Sequence, residues 1–250
     1  MSLFSSSNPT FGADTFKGIN PSRDHSDVMT VSGAINKIAV LGLLVFGGAL
    51  YTWNSLIELN EMSLVMPYML VGGLGGFAIA MIIIFKKQWS MYLAPIYCLF
   101  EGLFLGALSS VMELTFPGIV MQALLITFGV LFGMLLLYRL KIIKVTEKFK
   151  MVVSSATIGI ALIYFVSFIG SFFNFNVPLI HSSGTFGIVF SLIVIVVAAL
   201  NLAMDFNFIE EGAKSKAPKY MEWYSAFGLM VTLIWLYIEI LRLLAKLKRR

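Results

Sequence analysis

Three acids in this sequence stand where an acid is costly. They are Glu101 in LFEGLF, Asp205 in NLAMDFNFIEEG and Glu239 in LIWLYIEILRLL. An ionisable side chain inside a membrane-length apolar helix marks a functional site by default. Carboxylates spaced along such helices can hold a proton, or give oxygen ligands to a hard cation such as calcium. At ~1.5 Å per residue, Glu101 lies ~18 Å from the cytoplasmic end of its helix and Asp205 ~9 to 11 Å. On the same scale Thr232 lies ~16 Å deep and Glu239 ~27 Å. These depths allow Asp205 to neighbour Thr232 but not Glu239, and the acids form a ladder: Asp205 low, Glu101 in the middle, Glu239 high. A cation or proton crossing a bilayer needs intermediate polar stations of this kind.

Each acid also has a plainer reading. Glu239 lies three residues before Arg242, the spacing of an ordinary helical ion pair. Asp205 precedes Glu210, Glu211 and a polar loop, so it also fits a wet interfacial residue. Glu101 has no basic residue within a turn and fits a protonated carboxyl bonded to a neighbouring helix. Asn201 and Asn207 lie close to Asp205 in sequence, either as bonding partners or as helix-packing polar groups. Glu222, at the start of the last helix, suits the helix dipole and calls for no further role.

The elements that must position these residues follow from composition. Of 250 residues, 59% are hydrophobic and 12% charged, with a mean hydropathy of +0.90. Soluble domains carry roughly a quarter charged residues. The chain reads as an all-α, polytopic membrane protein. Seven apolar segments have the length of a bilayer span, at about residues 35–53, 65–85, 89–114, 118–138, 151–173, 184–208 and 220–244. Residues 1–34 read as a disordered cytoplasmic tail and 35–250 as the transmembrane domain. The glycine cluster at Gly72, Gly73, Gly75 and Gly76 permits close helix contact and is not a phosphate loop. A single cysteine, Cys98, excludes an internal disulfide, and with only two histidines and no HExxH a zinc hydrolase is not expected.

Lysine and arginine set the orientation. Residues 54–64, 113–117 and 174–183 contain neither. Lys86 and Lys87, the run from Arg139 to Lys150, and Lys214, Lys216 and Lys219 occupy the alternate connections. This places the N-terminus in the cytoplasm. The net charge of +5 then belongs to a protein facing an anionic leaflet, not to one binding nucleic acid. Seven crossings would put the C-terminal KLKRR outside, against the same rule, so either the last helix does not cross fully or the bias of the earlier connections overrides it.

Several segments, in order, resemble one family. SSNPTF, MTVSGAINK, EGLFLGALS, NLAMDFNFIEEG and APKYMEWYSAFGLMVTLIWLYIEILRLLAKL are together similar to the bacterial, YccA-like branch of the Bax inhibitor-one family, the transmembrane Bax inhibitor motif proteins. The resemblance implies a seven-helix bundle with the last helix central, acting as a pH-sensitive calcium leak in a bacterial inner membrane. It further implies a pair of aspartates that share a proton and gate the pore. Asp205 matches the first of these, and Thr232 stands at the position of the second. An arginine that belongs to the gate in some relatives, near the cytoplasmic end of the second helix, has only Lys86 and Lys87 as counterparts, which lack the bidentate fork.

The leading expectation is thus a cation-permeable, proton-regulated leak channel or transporter, without a cofactor and with calcium as the cargo. Its competitor is a non-transporting regulator that binds a membrane protease or another membrane protein through the tail and the basic run. An enzyme is not expected: the GxGD acid of aspartyl intramembrane proteases is absent, and residues 220–244 contain no lysine for retinal.

Overall fold

The computed structural model describes residues 28–58, 62–172 and 184–249. Residues 1–27 of the expected tail, and Phe173 at the expected end of the fifth span, lie outside the described residues. Seven long helices follow in order: α1 (Val31–Trp53), α2 (Val65–Phe85), α3 (Ser90–Thr115), α4 (Ile119–Arg139), α5 (Glu147–Phe172), α6 (Thr185–Lys214) and α7 (Tyr220–Lys248). All seven are long and apolar enough to cross a membrane, and no strand occurs among the described residues. The all-α, seven-span architecture expected from the sequence is therefore present.

Helix boundaries differ from expectation where caps and charged turns extend the apolar runs. Helix α1 begins at Val31 because the Thr30 side chain caps it, its Oγ1 accepting from the Gly33 N–H at 3.0 Å. Helix α6 continues six residues past Phe208 through a charged turn, carried by a Glu210–Lys214 ion pair at 2.6 Å. It stops in a Schellman motif. Lys216 takes a left-handed φ of 53°, Ala217 N–H donates to the Gly212 carbonyl, and Lys216 N–H donates to that of Ala213. Helix α4 ends the same way at Lys141, with Ile142 N–H donating to the Leu137 carbonyl. At ~1.5 Å per residue α6 is ~45 Å long, beyond the ~30 Å of a hydrocarbon core, so its charged end projects from the membrane.

The chain divides into two compact units. One holds Gly118–Asn207 and the chain from Val231 onward. The other holds the described residues up to Pro117 together with Phe208–Met230. In the first, Ile160, Phe190, Val194 and Val197 form an apolar core against which Tyr164 and Trp235 pack, so α5, α6 and α7 meet there.

In the second unit α1 and α2 both pack on α3. The approach is close enough to require glycine. A Cβ on Gly102 would lie 2.6 Å from the Val45 carbonyl and 3.0 Å from the Gly48 Cα, and one on Gly72 would lie 2.6 Å from the Phe104 amide nitrogen. Small-residue contacts of this kind drive helix association where lipid removes any hydrophobic drive. Outward-facing Leu43, Leu74, Phe77, Leu125, Phe132 and Phe165 are each more than half exposed, a surface suited to lipid.

The α1–α3 crossing generates a stability test. Gly102→Ala puts a methyl against backbone on two sides and is expected to cost about 1–3 kcal/mol. Gly129→Ala in α4, where nothing lies within 4 Å of the added carbon, is expected to be neutral or to stabilise by up to ~1 kcal/mol. Thermal unfolding in detergent reads both. Equal effects would show that the crossing tolerates a side chain.

Candidate functional site

The two last helices hold most of the buried charge. Share of burial singles them out: 61% of the most apolar stretch of α7 is buried and 50% of that of α6, against 17% for α1 and α2. Asp205, Thr232 and Glu239 are all buried, Asp205 completely. The wet interfacial reading of Asp205 is therefore not met. Asn201 is buried as well. Its amide donates to Thr157 Oγ1 on α5 at 2.8 Å and to the Val197 carbonyl at 2.9 Å, so it ties α5 to α6. Asn207 is half-buried two residues after Asp205.

Glu239 and Arg242 do come together as their spacing predicts, at 2.9 Å. What the spacing did not reveal is the third member. The Tyr164 hydroxyl of α5 donates to Glu239 Oε1 at 2.7 Å and accepts from Arg242 Nη1, also at 2.7 Å. The guanidinium also sits 5.0 Å from the Tyr164 ring centroid. One turn beyond, the buried Lys246 donates to the Gly187 carbonyl and to Ser191 Oγ of α6, each at 2.9 Å. The last turns of α7 are thus bound to α5 and α6 by polar contacts in a largely apolar setting. Because Lys246 is consumed in this way, the KLKRR end carries less free surface charge than its sequence suggests.

Glu222 is the residue whose role the sequence understated. Its carboxylate is 1% exposed and takes three donors: Thr30 N–H at 2.9 Å, Thr30 Oγ1 at 3.0 Å and Lys37 Nζ at 2.7 Å. It therefore sits at the N-terminus of α1, where unsatisfied N–H groups and the helix dipole favour a negative charge. Gly33 makes the approach possible, since a Cβ there would fall on the carboxylate. Met29 N–H donates to the Ala217 carbonyl at 2.7 Å, and Lys37 lies 5.8 Å from the Trp223 ring centroid. The chain entering α1 is thereby strapped to the start of α7. The signal was available in the sequence as T-x-x-G in MTVSGAINK, but its acceptor is 192 residues away.

Within the same unit Glu101 is half-buried, and its carboxyl lies against Gly76 of α2, where a Cβ would stand 2.7 Å from Oε1. The Tyr97 side chain, one turn earlier, hydrogen-bonds to it. Lys86 lies 4.7 Å from the Trp89 ring centroid, and Lys87 lies 5.6 Å from that of Tyr224. Both lysines named as counterparts of the gate arginine therefore lie over aromatic rings. No group of three or more metal-ligating side chains occurs among the described residues.

Comparison with known proteins agrees with this architecture. The family model for Bax inhibitor 1 like proteins matches residues 8–249, nearly the whole chain. The chain belongs to that family. No curated protein matches it.

The Glu222 strap yields an asymmetric expectation. Lys37→Met leaves a buried carboxylate without its countercharge and is expected to cost about 3 kcal/mol. Glu222→Gln keeps an oxygen for the Thr30 donors and leaves a lysine that can reach water, so about 1 kcal/mol is expected. Chemical unfolding in detergent distinguishes them. The reverse order would show that Glu222 is held by its Thr30 donors alone.

Proposed function

We propose that this Bax inhibitor 1 like protein is a proton-regulated cation leak, with calcium as its cargo, of the YccA-like kind found in bacterial inner membranes. The single observation that carries the reading is the complete burial of Asp205, near the end of a membrane-spanning helix and at the position the family resemblance gives to the gate acid. A charge so placed is retained for use and not for stability. Glu101 and Glu239 supply further carboxyls, and Thr232 and Asn201 add neutral oxygens suited to a hard cation. Lys86 and Lys87 remain supporting residues, at the aromatic end of α2.

The proposed topology puts the N-terminus, Lys86 and Lys87, the basic run from Arg139 to Lys150, and Lys214 to Lys219 on the cytoplasmic side. The burial of Lys246 eases the one departure from this pattern, since that lysine serves the fold and does not act as a free interfacial charge. Exposed Arg139, Lys141, Lys144 and Lys148 favour a second reading, a regulator that docks a membrane protease or other partner on this basic connection.

The chemistry of the gate gives the test. Two carboxylates close together repel, and that repulsion is what makes a pair respond sharply to protons. Thr232 removes one of the two. Calcium entry into liposomes holding the full chain should therefore change only modestly between about pH 5 and 8, a span covering perturbed carboxyls. Thr232→Asp is expected to steepen the response several-fold, and Asp205→Asn to flatten it. A wild-type response as steep as that of Thr232→Asp would show that another acid supplies the second charge. Absence of calcium entry in every variant would favour the regulator.

A further inference from the structure

We propose that Glu239 is a cation-binding station and that the guanidinium of Arg242 is its tethered plug. The inference deepens the leak reading and rests on it for its consequence on flux, although binding itself does not require transport.

The asymmetry of the Glu239 carboxylate carries the proposal. Both of its protein donors, Tyr164 Oη and Arg242 Nη1, converge on Oε1. Oε2 is equally buried, yet no donor among the described residues reaches it. A carboxylate has about four acceptor sites, and a buried oxygen left bare is expensive. An ion pair built only to hold the helix would use the bidentate fork that arginine offers, with one nitrogen on each oxygen. Here the guanidinium contacts end-on and shares its nitrogen with the tyrosine hydroxyl. One oxygen is left open to a further cation.

The partners also differ in freedom. The Glu239 side chain is 1% exposed and fixed among α5 and α7 residues, whereas that of Arg242 is 35% exposed. The carboxylate cannot leave, and the guanidinium can. Lys246, four residues after Arg242, is held by Gly187 and Ser191 and stands as a fixed like charge on the far side of it. Like charges at this spacing repel, which drives the guanidinium towards Glu239 and keeps the station closed at rest. An arriving cation competes with Arg242 for the same carboxylate. Its ligands would be the Glu239 oxygens and the Tyr164 hydroxyl, oxygen donors that suit a hard ion.

Terbium reads this site without transport, because its luminescence is sensitised by nearby aromatic rings. Tyr164 is bonded to Glu239, and Trp235 lies one helical turn before it. The full chain in phosphatidylcholine nanodiscs is titrated with terbium and then competed with calcium. Arg242→Gln is expected to tighten calcium-competed terbium binding about tenfold or more, the loss of one charge-assisted competitor. Adding Glu239→Gln is expected to remove the gain. If Arg242→Gln fails to fold, Arg242→Lys keeps the charge but not the planar donor, and a smaller gain in the same direction is expected. No gain in the variant that folds, or a gain that survives Glu239→Gln, overturns the proposal. Terbium gain without calcium flux would uphold the station and sink the leak. Flux without terbium gain would do the reverse.

Discussion

A charge in hydrocarbon must be surrounded by protein partners, and the architecture of this chain follows from that requirement. Helices α6 and α7 carry the fully buried charged groups, and they are the two most heavily buried helices. At one end of α7, Glu222 is matched by Thr30 and Lys37 of α1. Towards the other, Glu239 is matched by Tyr164 and Arg242, and Lys246 by carbonyl and hydroxyl oxygens of α6. Each set lies within one compact unit. Helices α1 and α2 have few charges to shelter and present mostly apolar side chains outward.

The same requirement sorts the buried charges by how their partners hold them. Glu222 is saturated: three donors, Lys37 among them, and a helix N-terminus leave it nothing to exchange. Asp205 is completely buried on α6, two residues before Asn207 and four after Asn201. Glu239 is held firmly through one oxygen, and no donor among the described residues reaches the other. The proposed leak needs a group of this last kind, since an ion must be bound weakly enough to leave. Family membership supports a membrane protein of this class, and the cation is the proposal built on its buried carboxyls.

Much of this was legible from residue patterns because membrane spans are read from local composition. All seven helices lie where apolar runs predict them, and the Glu239–Arg242 pair follows from i,i+3 spacing. Boundaries were less legible. The first turn of α1 is made mostly of small residues and the last of α6 is charged, so hydropathy starts α1 late and ends α6 early, although the Thr30 cap and the Glu210–Lys214 spacing were visible signals. Contacts distant in sequence were not legible at all. Nothing local connects Tyr164 to Glu239, Thr30 to Glu222, or Lys246 to Ser191. The wet reading of Asp205 weighed its charged neighbours downstream, whereas α6 continues as helix to Lys214 and keeps the aspartate inside.

The claim at the centre of this account is that the buried carboxyls carry ions and do not merely brace helices. Calcium entry into liposomes under a fixed gradient, compared between the wild-type chain and one carrying Glu101→Gln, Asp205→Asn and Glu239→Gln together, tests it most directly. Circular dichroism of the same samples establishes that the helices persist. The account predicts entry for the wild type and loss of it in the neutralised chain with helix content unchanged. Equal entry through a folded, neutralised chain would contradict it.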